Sequence, residues 1–388
     1  MKFFRILAAI AVFTLVGKAS GQTLTILHLF SGGSDGHNPV SGLIQASNGF
    51  FYGTTQDGDP EGGNGTVFQI SSAGTFTTLY SFTGGADGAS PSSPLIQGAD
   101  GFLYGVTIFG GTNDDVGTVY RISTAGTLTS LHSFGGDDGS FPRGSLVQGA
   151  DGSLYGATIE GGTNNLGTIY RITTAGTFTT LHMFGANPND GFDPYAGLVQ
   201  RNKNWFYGVT QGGGPHGGQG TIFKISNTGN LKIVYSFSNG TNGANPFAAL
   251  VKGPGGCFYG TTVLTGTNNN GTVFKISPAG KLKTLYRFTG GFDGATPEAP
   301  LALGSDGNFY GTTSSGGSSN LGTAFRITPA GTLTTLHEFS GGTDGSLPYG
   351  GLVQGSDGSF YGTAWAGGTN GNGTVFKLTV PLGPPRKN

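Results

Sequence analysis

The chain has 388 residues, 77 of them glycine, with 10% charged residues and a formal net charge of −1. That charged fraction is well below the roughly 25% of an average globular domain. It excludes a basic field for nucleic acid and an acidic interaction tail, and leaves Thr, Ser and Asn to carry the polarity. The single cysteine, Cys257, excludes an intramolecular disulfide, so burial and hydrogen bonds must hold the fold.

At the N-terminus, MKFFRILAAIAVFTLVGKASGQ places Lys2 and Arg5 around the start of an apolar run, Ile6 to Val16, broken only by Thr14. Ala19 and Gly21 are small residues placed for a cut before Gln22. This is the plan of a signal peptide over residues 1–21, with an apolar run shorter than the ~20 residues of a membrane span. A buried N-terminal helix is the competing reading. The expected product is secreted and extracellular, with no membrane span. Residues 380–388 form a short tail without an apolar anchor segment, so release is expected, with cell-surface association left open.

Tyr-Gly recurs at Tyr52, Tyr104, Tyr155, Tyr207, Tyr259, Tyr310 and Tyr361, at spacings of 51 or 52 residues. A period near 50 marks an array of supersecondary units. Each copy predicts four strands. In the sixth they are a (Ala299–Leu303, APLAL), b (Asn308–Thr313, NFYGTT), c (Gly322–Thr328, GTAFRIT) and d (Thr332–Phe339, TLTTLHEF). Thr323, Phe325 and Ile327 point one way and Ala324 and Arg326 the other, a period of two. Tight turns such as Ser305-Asp306-Gly307 and Pro329-Ala330-Gly331 join a to b and c to d. A four-stranded unit alone cannot bury both faces, whereas seven stacked radially can. The predicted fold is an all-β, seven-bladed propeller of four-stranded antiparallel blades, a single domain over residues 22–379.

The termini predict closure. The last copy supplies a, b and c and ends its strands at Lys377-Leu378-Thr379, while the chain after Gln22 opens with an orphan d piece, TLTILHLF. The N-terminal strand should complete the seventh blade as its outermost strand, which removes an open edge.

Several repeated residues invite a second reading. Gly53 and its equivalents inside strand b signal a bulge or close backbone approach, or else contact with a ligand. His28, His132, His182 and His337 share their position in d with Tyr80, Tyr235 and Tyr286. They lie in different blades, too far apart to share a metal ion, and the interchange with Tyr suits a flat ring with a polar tip. The loops from d to the next a carry Asp or Asn at 35, 87, 138, 190, 242, 293 and 344, then Gly, with Pro four residues after the Asp or Asn. Turn chemistry explains them, with a carboxylate ring for Ca²⁺ or sugar hydroxyls as the alternative.

If a runs down and b up, the b–c and d–a loops emerge on one face. The b–c loops vary most, from QDGDPEGGN to WAGGTNGN, and this long-loop face is the expected binding face. Trp365, Phe109, Glu160 and His216 are its non-repeating residues and the candidate ligand contacts. Trp365 either stacks on a sugar or packs on a neighbouring loop. Asp57, Asp59 and Glu61, followed by Gly62, match the first positions of a calcium loop, but position 12 is Phe68. They are the one candidate metal site; no other cofactor is expected.

The phrase YGTT…GG…GTVF.I…G.LT.LH.F…DG..P, recurring with substitutions across the seven copies, resembles the GloVer tandem-repeat, or "choice-of-anchor", family of bacterial secreted and surface proteins. The resemblance spans nearly all of residues 23–379 and implies export and a repeat architecture, with no activity or catalytic residues to carry over. Double glycines at this period bear a more distant likeness to kelch propellers, although Trp205 and Trp365 are the only tryptophans. The expected function is a secreted binding module for polysaccharide, cell-envelope or protein ligands, monomeric, with sevenfold similarity favouring weak multivalent contacts. The alternatives are a matrix scaffold without a small ligand and a propeller-type hydrolase or lyase. The chain has four glutamates, Glu61, Glu160, Glu298 and Glu338, and no nucleophile motif.

Overall fold

The computed structural model describes residues 21–381 apart from 59–62, 188, 217, 239–241 and 265–268. Residues 1–20, which hold nearly all of the proposed signal peptide, lie outside the described residues, as do Asp59 and Glu61 of the candidate calcium loop. The strands form seven separate four-stranded antiparallel sheets. In blade 1, strands a to d are Ile44–Gln45, Phe51–Thr55, Thr66–Ile70 and Phe76–Ser81. The other blades repeat this order, and the fold is a seven-bladed β-propeller. The single helical turn among the described residues is Pro254–Gly256 in an a–b connection.

The seventh blade closes as its termini foretell. Strand a is Val353–Gln354, b is Phe360–Ala364 and c is Thr374–Thr379. The outer strand is Thr23–Leu29, paired antiparallel with c from Thr23 opposite Thr379 to Leu29 opposite Thr374.

The core lies between blades rather than within them. Buried side chains fall into seven clusters, each shared by two neighbours; one joins Tyr310 and Phe339 of blade 6 to Phe360 and Phe376 of blade 7. Two aromatic contacts recur. The Tyr of Tyr-Gly stacks on the residue that opens the next b strand, with Phe51 on Tyr361 at 3.9 Å and Tyr310 on Phe360 at 3.9 Å between ring centroids. The Phe that follows strand d meets the c-strand aromatic of the next blade, as Phe30 meets Phe68 at 5.5 Å and Phe82 meets Tyr120 at 5.2 Å. Such pairs add about 0.5–1.5 kcal/mol beyond burial. The strand b glycine explains itself here: a Cβ on Gly53 would lie 2.5 Å from Phe68 Cζ and 2.6 Å from Leu43 Cδ2. The close-approach reading of that glycine is the one the packing supports.

Strand a is shorter than its sequence suggests. In blade 6 it is only Ala302–Leu303, and Glu298 to Leu301 run ahead of it outside the ladder. Seven such segments converge on the axis, so their backbones meet neighbouring blades. A Cβ on Gly42 would lie 2.8 Å from the Gly351 carbonyl oxygen. Hydroxyls tie these segments across the blade boundaries, with Thr363 Oγ1 donating to Ser41 O at 2.8 Å and Thr312 Oγ1 to Gly350 O at 3.1 Å.

Closure and repetition can each be tested by stability. Removing residues 22–30 should strip the burial of Phe30, at ~1.5–3 kcal/mol for a fully buried side chain, together with the partial burial of Leu24 and Ile26, and expose the edge of strand c. That loss is a large part of a typical ~5–15 kcal/mol stability. Thermal melting of residues 31–388 should fall steeply and the protein should aggregate; an unchanged midpoint would show that the ring stands without this strand. The second test concerns a buried hydroxyl pair at the end of strands b and c. Thr55 and Thr66 share a hydrogen bond of 2.8 Å, as do Thr313 and Thr323 at 2.9 Å. In blade 7 Ala364 replaces the b-strand threonine, and the buried Thr374 Oγ1 has no partner. Ala364→Thr should raise stability by about 1 kcal/mol, read as a higher denaturant midpoint with unchanged slope.

Candidate functional site

Each copy of the repeat runs Pro, one variable residue, two residues drawn from Gly, Ala, Ser and Pro, then Leu into strand a. Alternation sets the directions. In PRGSL, Pro142, Gly144 and Leu146 are buried while Arg143 and Ser145 are half-buried. The residues that follow the seven prolines are Val40, Ser92, Arg143, Tyr195, Phe247, Glu298 and Tyr349. All seven line one axial cavity of about 370 Å³, together with Gln56 and Trp365, the first residues of two b–c loops. The cavity therefore sits on the axis at the long-loop end of the ring.

The lining is asymmetric. Arg143 Nη1 donates to Tyr195 Oη at 2.6 Å, with the guanidinium 5.4 Å from that ring's centroid. Tyr195 packs on Phe247 at 3.9 Å between centroids, and Tyr349 meets Trp365 edge-on at 5.9 Å. Glu298 Oε1 accepts from Ser314 Oγ at 3.0 Å. Burial raises the Glu298 carboxyl above its ordinary value, against the opposing pull of the Ser314 hydroxyl. Burial also raises the Tyr195 phenol; the Arg143 charge works against this and the Glu298 charge adds to it. The Tyr349 phenol is raised by burial and by Glu298.

Of the four residues singled out in the loops, only Trp365 reaches this cavity. Phe109 and Glu160 occupy the next position of their b–c loops, where the chain bridges to the d–a loop: Phe109 to Ala89 and Glu160 to Ser140. Phe109 is 40% exposed and touches Phe141 edge-on at 5.6 Å. Glu160 lies close enough to raise the Asp193 carboxyl, whose main cause is burial. His216 is exposed, and its backbone N–H donates to Ser236 Oγ at 3.3 Å. The four stand in four different blades and are not brought together. Arg143, Tyr195, Phe247, Glu298 and Tyr349 were missed, although the sequence carries their signal: the residue after the recurring proline varies where its frame does not.

Asp57 accepts from Asn38 Nδ2 at 3.0 Å. No group of three metal-ligating side chains occurs among the described residues.

The histidine row and the Asp-Gly row, treated separately in the sequence, prove to be one device. His28 Nε2–H donates to Asp35 Oδ2 at 3.0 Å, His132 to Asp138 at 2.7 Å and His337 to Asp344 at 3.0 Å. His182 Nε2 lies 3.1 Å from Asp190 Oδ2 without hydrogen-bond geometry. Tyrosine does the same work elsewhere, with Tyr80 donating to Asp87 and Tyr286 to Asp293, each at 3.0 Å. These are acid–histidine pairs, but they sit on outer strands and repeat around the ring. The hydrogen-bonded pairs clasp a d–a loop to its strand, and His28 also stacks on Phe76 of the next blade at 3.8 Å.

A family-model match to the Gloeobacter/Verrucomicrobia repeat covers residues 11–218, 61–262 and 206–384. The chain belongs to the Gloeobacter/Verrucomicrobia repeat family. No curated protein matches this member. Solved structures resemble it in fold alone. One is the extracellular domain of a protein described as a hybrid two-component system from B. thetaiotaomicron, at 12% identity and a TM-score of 0.59, covering 91% of this chain and 39% of that one. The chain thus spans well under half the length of that relative. A fungal alcohol oxidase of the AA5 family, in complex with copper, matches at 14% identity and a TM-score of 0.59, covering 92% of this chain and 76% of that one. A protein described as a 6-phosphogluconolactonase from Bacteroides uniformis matches at 17% identity and a TM-score of 0.51, covering 77% and 84%. In this member of the Gloeobacter/Verrucomicrobia repeat family no helix among the described residues is long and apolar enough to cross a membrane.

The clasps predict a pH dependence with a definite sign. His28 and His182 have pKa values lowered from 6.5, burial outweighing their aspartates. The folded state then binds fewer protons than the unfolded chain, so this contribution is complete above 6.5 and is lost as pH falls below it. Burial would raise Asp35, but hydrogen bonds from Ser31 and His28 lower it from 3.8 overall; Asp138 is likewise lowered, by His132 and the Gly135 N–H. Their contribution is present above 3.8 and is lost below it. Melting temperature should therefore fall in two steps on acidification. His28→Tyr with His182→Tyr, which copy the clasps of Tyr80 and Tyr286, should flatten the upper step and leave the lower one. An unaltered upper step would place its origin elsewhere.

Proposed function

We propose that this chain is a secreted, non-enzymatic binding module that takes the end of a saccharide chain into the axial cavity of its long-loop face. The observation that carries this reading is the ring of residues after the repeated prolines. Seven copies hold the same frame, yet this position changes from Val to Ser, Arg, Tyr, Phe, Glu and Tyr. Packing between the sheets does not require that divergence, because these residues precede the strand a ladder and line the cavity. Cavities of ~300–1,000 Å³ lined by aromatic surface and a few polar groups are the usual form of a small-ligand site. Here Tyr195, Phe247, Tyr349 and Trp365 offer flat apolar faces, and Arg143, Glu298 and Gln56 offer donors and acceptors. A sugar ring presents the complementary mixture of C–H faces and hydroxyls.

Among the described residues, Glu298 is the one acidic side chain that lines the cavity. Glycoside hydrolysis generally needs two carboxyl groups across the scissile bond, so the lining favours binding over hydrolysis. A single asymmetric cavity also favours one ligand per ring over seven weak contacts. The export plan at residues 1–21 fits action outside the cytoplasm.

Titration of residues 22–388 against a panel of neutral and charged oligosaccharides, with calcium and with a chelator, tests the reading. Saturable binding at one ligand per chain is expected. It should weaken at least about tenfold, ~1.4 kcal/mol, in Trp365→Ala and in Phe247→Ala, and hold in Phe109→Ala. Binding that fails in Phe109→Ala and survives in Trp365→Ala would move the site off the axis. Calcium dependence would bring the Asp57 loop into it, and no binding to any glycan would favour a protein-contacting scaffold.

A further inference from the structure

The axial cavity holds two opposite charges, and neither has a counter-charge of its own. Arg143 introduces strand a of blade 3 and Glu298 that of blade 6, three steps apart in a ring of seven, so they stand nearly opposite across the axis. Each lies within electrostatic reach of the Tyr195 phenol. Yet among the described residues neither Arg143 nor Glu298 belongs to an ion pair, unlike the His–Asp clasps or Lys377 with Asp357. The Arg143 guanidinium donates to a neutral acceptor, Tyr195 Oη, and the Glu298 carboxylate accepts from a neutral donor, Ser314 Oγ. Half-buried charges without opposite charges beside them are costly to keep. These two are held apart by intervening aromatic rings, Tyr195 and Phe247, from the two blades between them.

We propose that the ligand of this cavity is a zwitterionic sugar residue, its ammonium group on Glu298 and its carboxylate on Arg143. The inference rests on the saccharide reading above and gives that saccharide its charges. A guanidinium presents paired N–H donors in the geometry a carboxylate accepts. Phe247 and Tyr349, which flank Glu298 in ring order, line the same cavity, and aromatic rings favour a cation. The pyranose between the two groups would lie along the aromatic surface. A neutral sugar leaves both charges unanswered, and a sugar with one charge leaves one of them unanswered.

Four monosaccharides that vary the two charges independently make the test: muramic acid with both, N-acetylmuramic acid with the carboxylate alone, glucosamine with the amine alone, and glucose with neither. Binding to residues 22–388 would be measured at neutral pH by calorimetry or ligand-observed NMR. Muramic acid should bind about tenfold more tightly than either singly charged sugar, and these more tightly than glucose. Glu298→Gln, which keeps the acceptor for Ser314, should erase the preference for the amine and leave that for the carboxylate. Arg143→Gln should do the reverse. Glu160→Gln, on the same face but off the axis, should alter neither. The ranking on the unmutated protein stands as a test even where a variant folds poorly. Equal affinity for all four sugars, or a preference for one charge alone, would overturn the two-point assignment while leaving saccharide binding in place. No binding by any of the four, together with no binding by the oligosaccharide panel, would overturn both.

Discussion

The structure depends on burial that no blade can complete alone. A four-stranded blade has two apolar faces and no layer of its own to cover them, so each must be pressed against a neighbour. The recurring contacts serve that purpose: the stacked Tyr and Phe of successive b strands, and the Phe after strand d set edge-on against the next c strand. Because every face needs a neighbour, the seventh needs the first. The N-terminal strand meets that requirement by joining the last blade and bringing Phe30 to Phe68 across the junction. Closure joins the chain's beginning to the end of its last blade, without a disulfide.

The same geometry divides the molecule into places that must repeat and places that need not. Between blades, side-chain shape is set by two partners at once, and a glycine such as Gly53 is fixed because an aromatic ring and a leucine occupy its Cβ position. At the outer strands, a His or Tyr clasps each d–a loop by an aspartate or asparagine, and the choice of ring matters little because either tip reaches. At the axis, the backbones crowd so closely that small residues are required, but the side chains between them project into open space. There, as in the loops, one blade can differ from the next without loss of packing between the sheets.

Much of this was legible in the sequence. The period, the four strands per unit, the closure by TLTILHLF and the long-loop face follow from spacing, alternation and hairpin order. What was less legible involved contacts between separate segments. The clasp of His28 by Asp35 joins a strand to a loop that folds back over it, and neither the period of two nor the turn chemistry of Asp-Gly foresees that meeting. The length of strand a was overestimated because APLAL alternates like a strand, while its first residues lie against other blades instead of in a ladder. Trp365 stood out because tryptophan is rare. Arg143 and Glu298 did not, because each looked like an ordinary residue at a strand entry. That they line one cavity appears only when seven strand entries are drawn to one axis.

A repeated architecture therefore carries its information in the departures from repetition, and the location of a departure decides its meaning. Ala364 departs from threonine between two strands, where it leaves Thr374 Oγ1 without a partner, a small defect of packing. Phe109 and Glu160 depart in the loops, but each at a position whose backbone is bridged within its own blade, so the differences stay local. Departures at the axis are pooled. Seven side chains of six kinds share one cavity, and a cation, an acid and several aromatic rings that no single blade could gather line it together. In a propeller built from near-identical units this convergence is where unlike side chains from all seven blades meet, Arg143 and Glu298 among them.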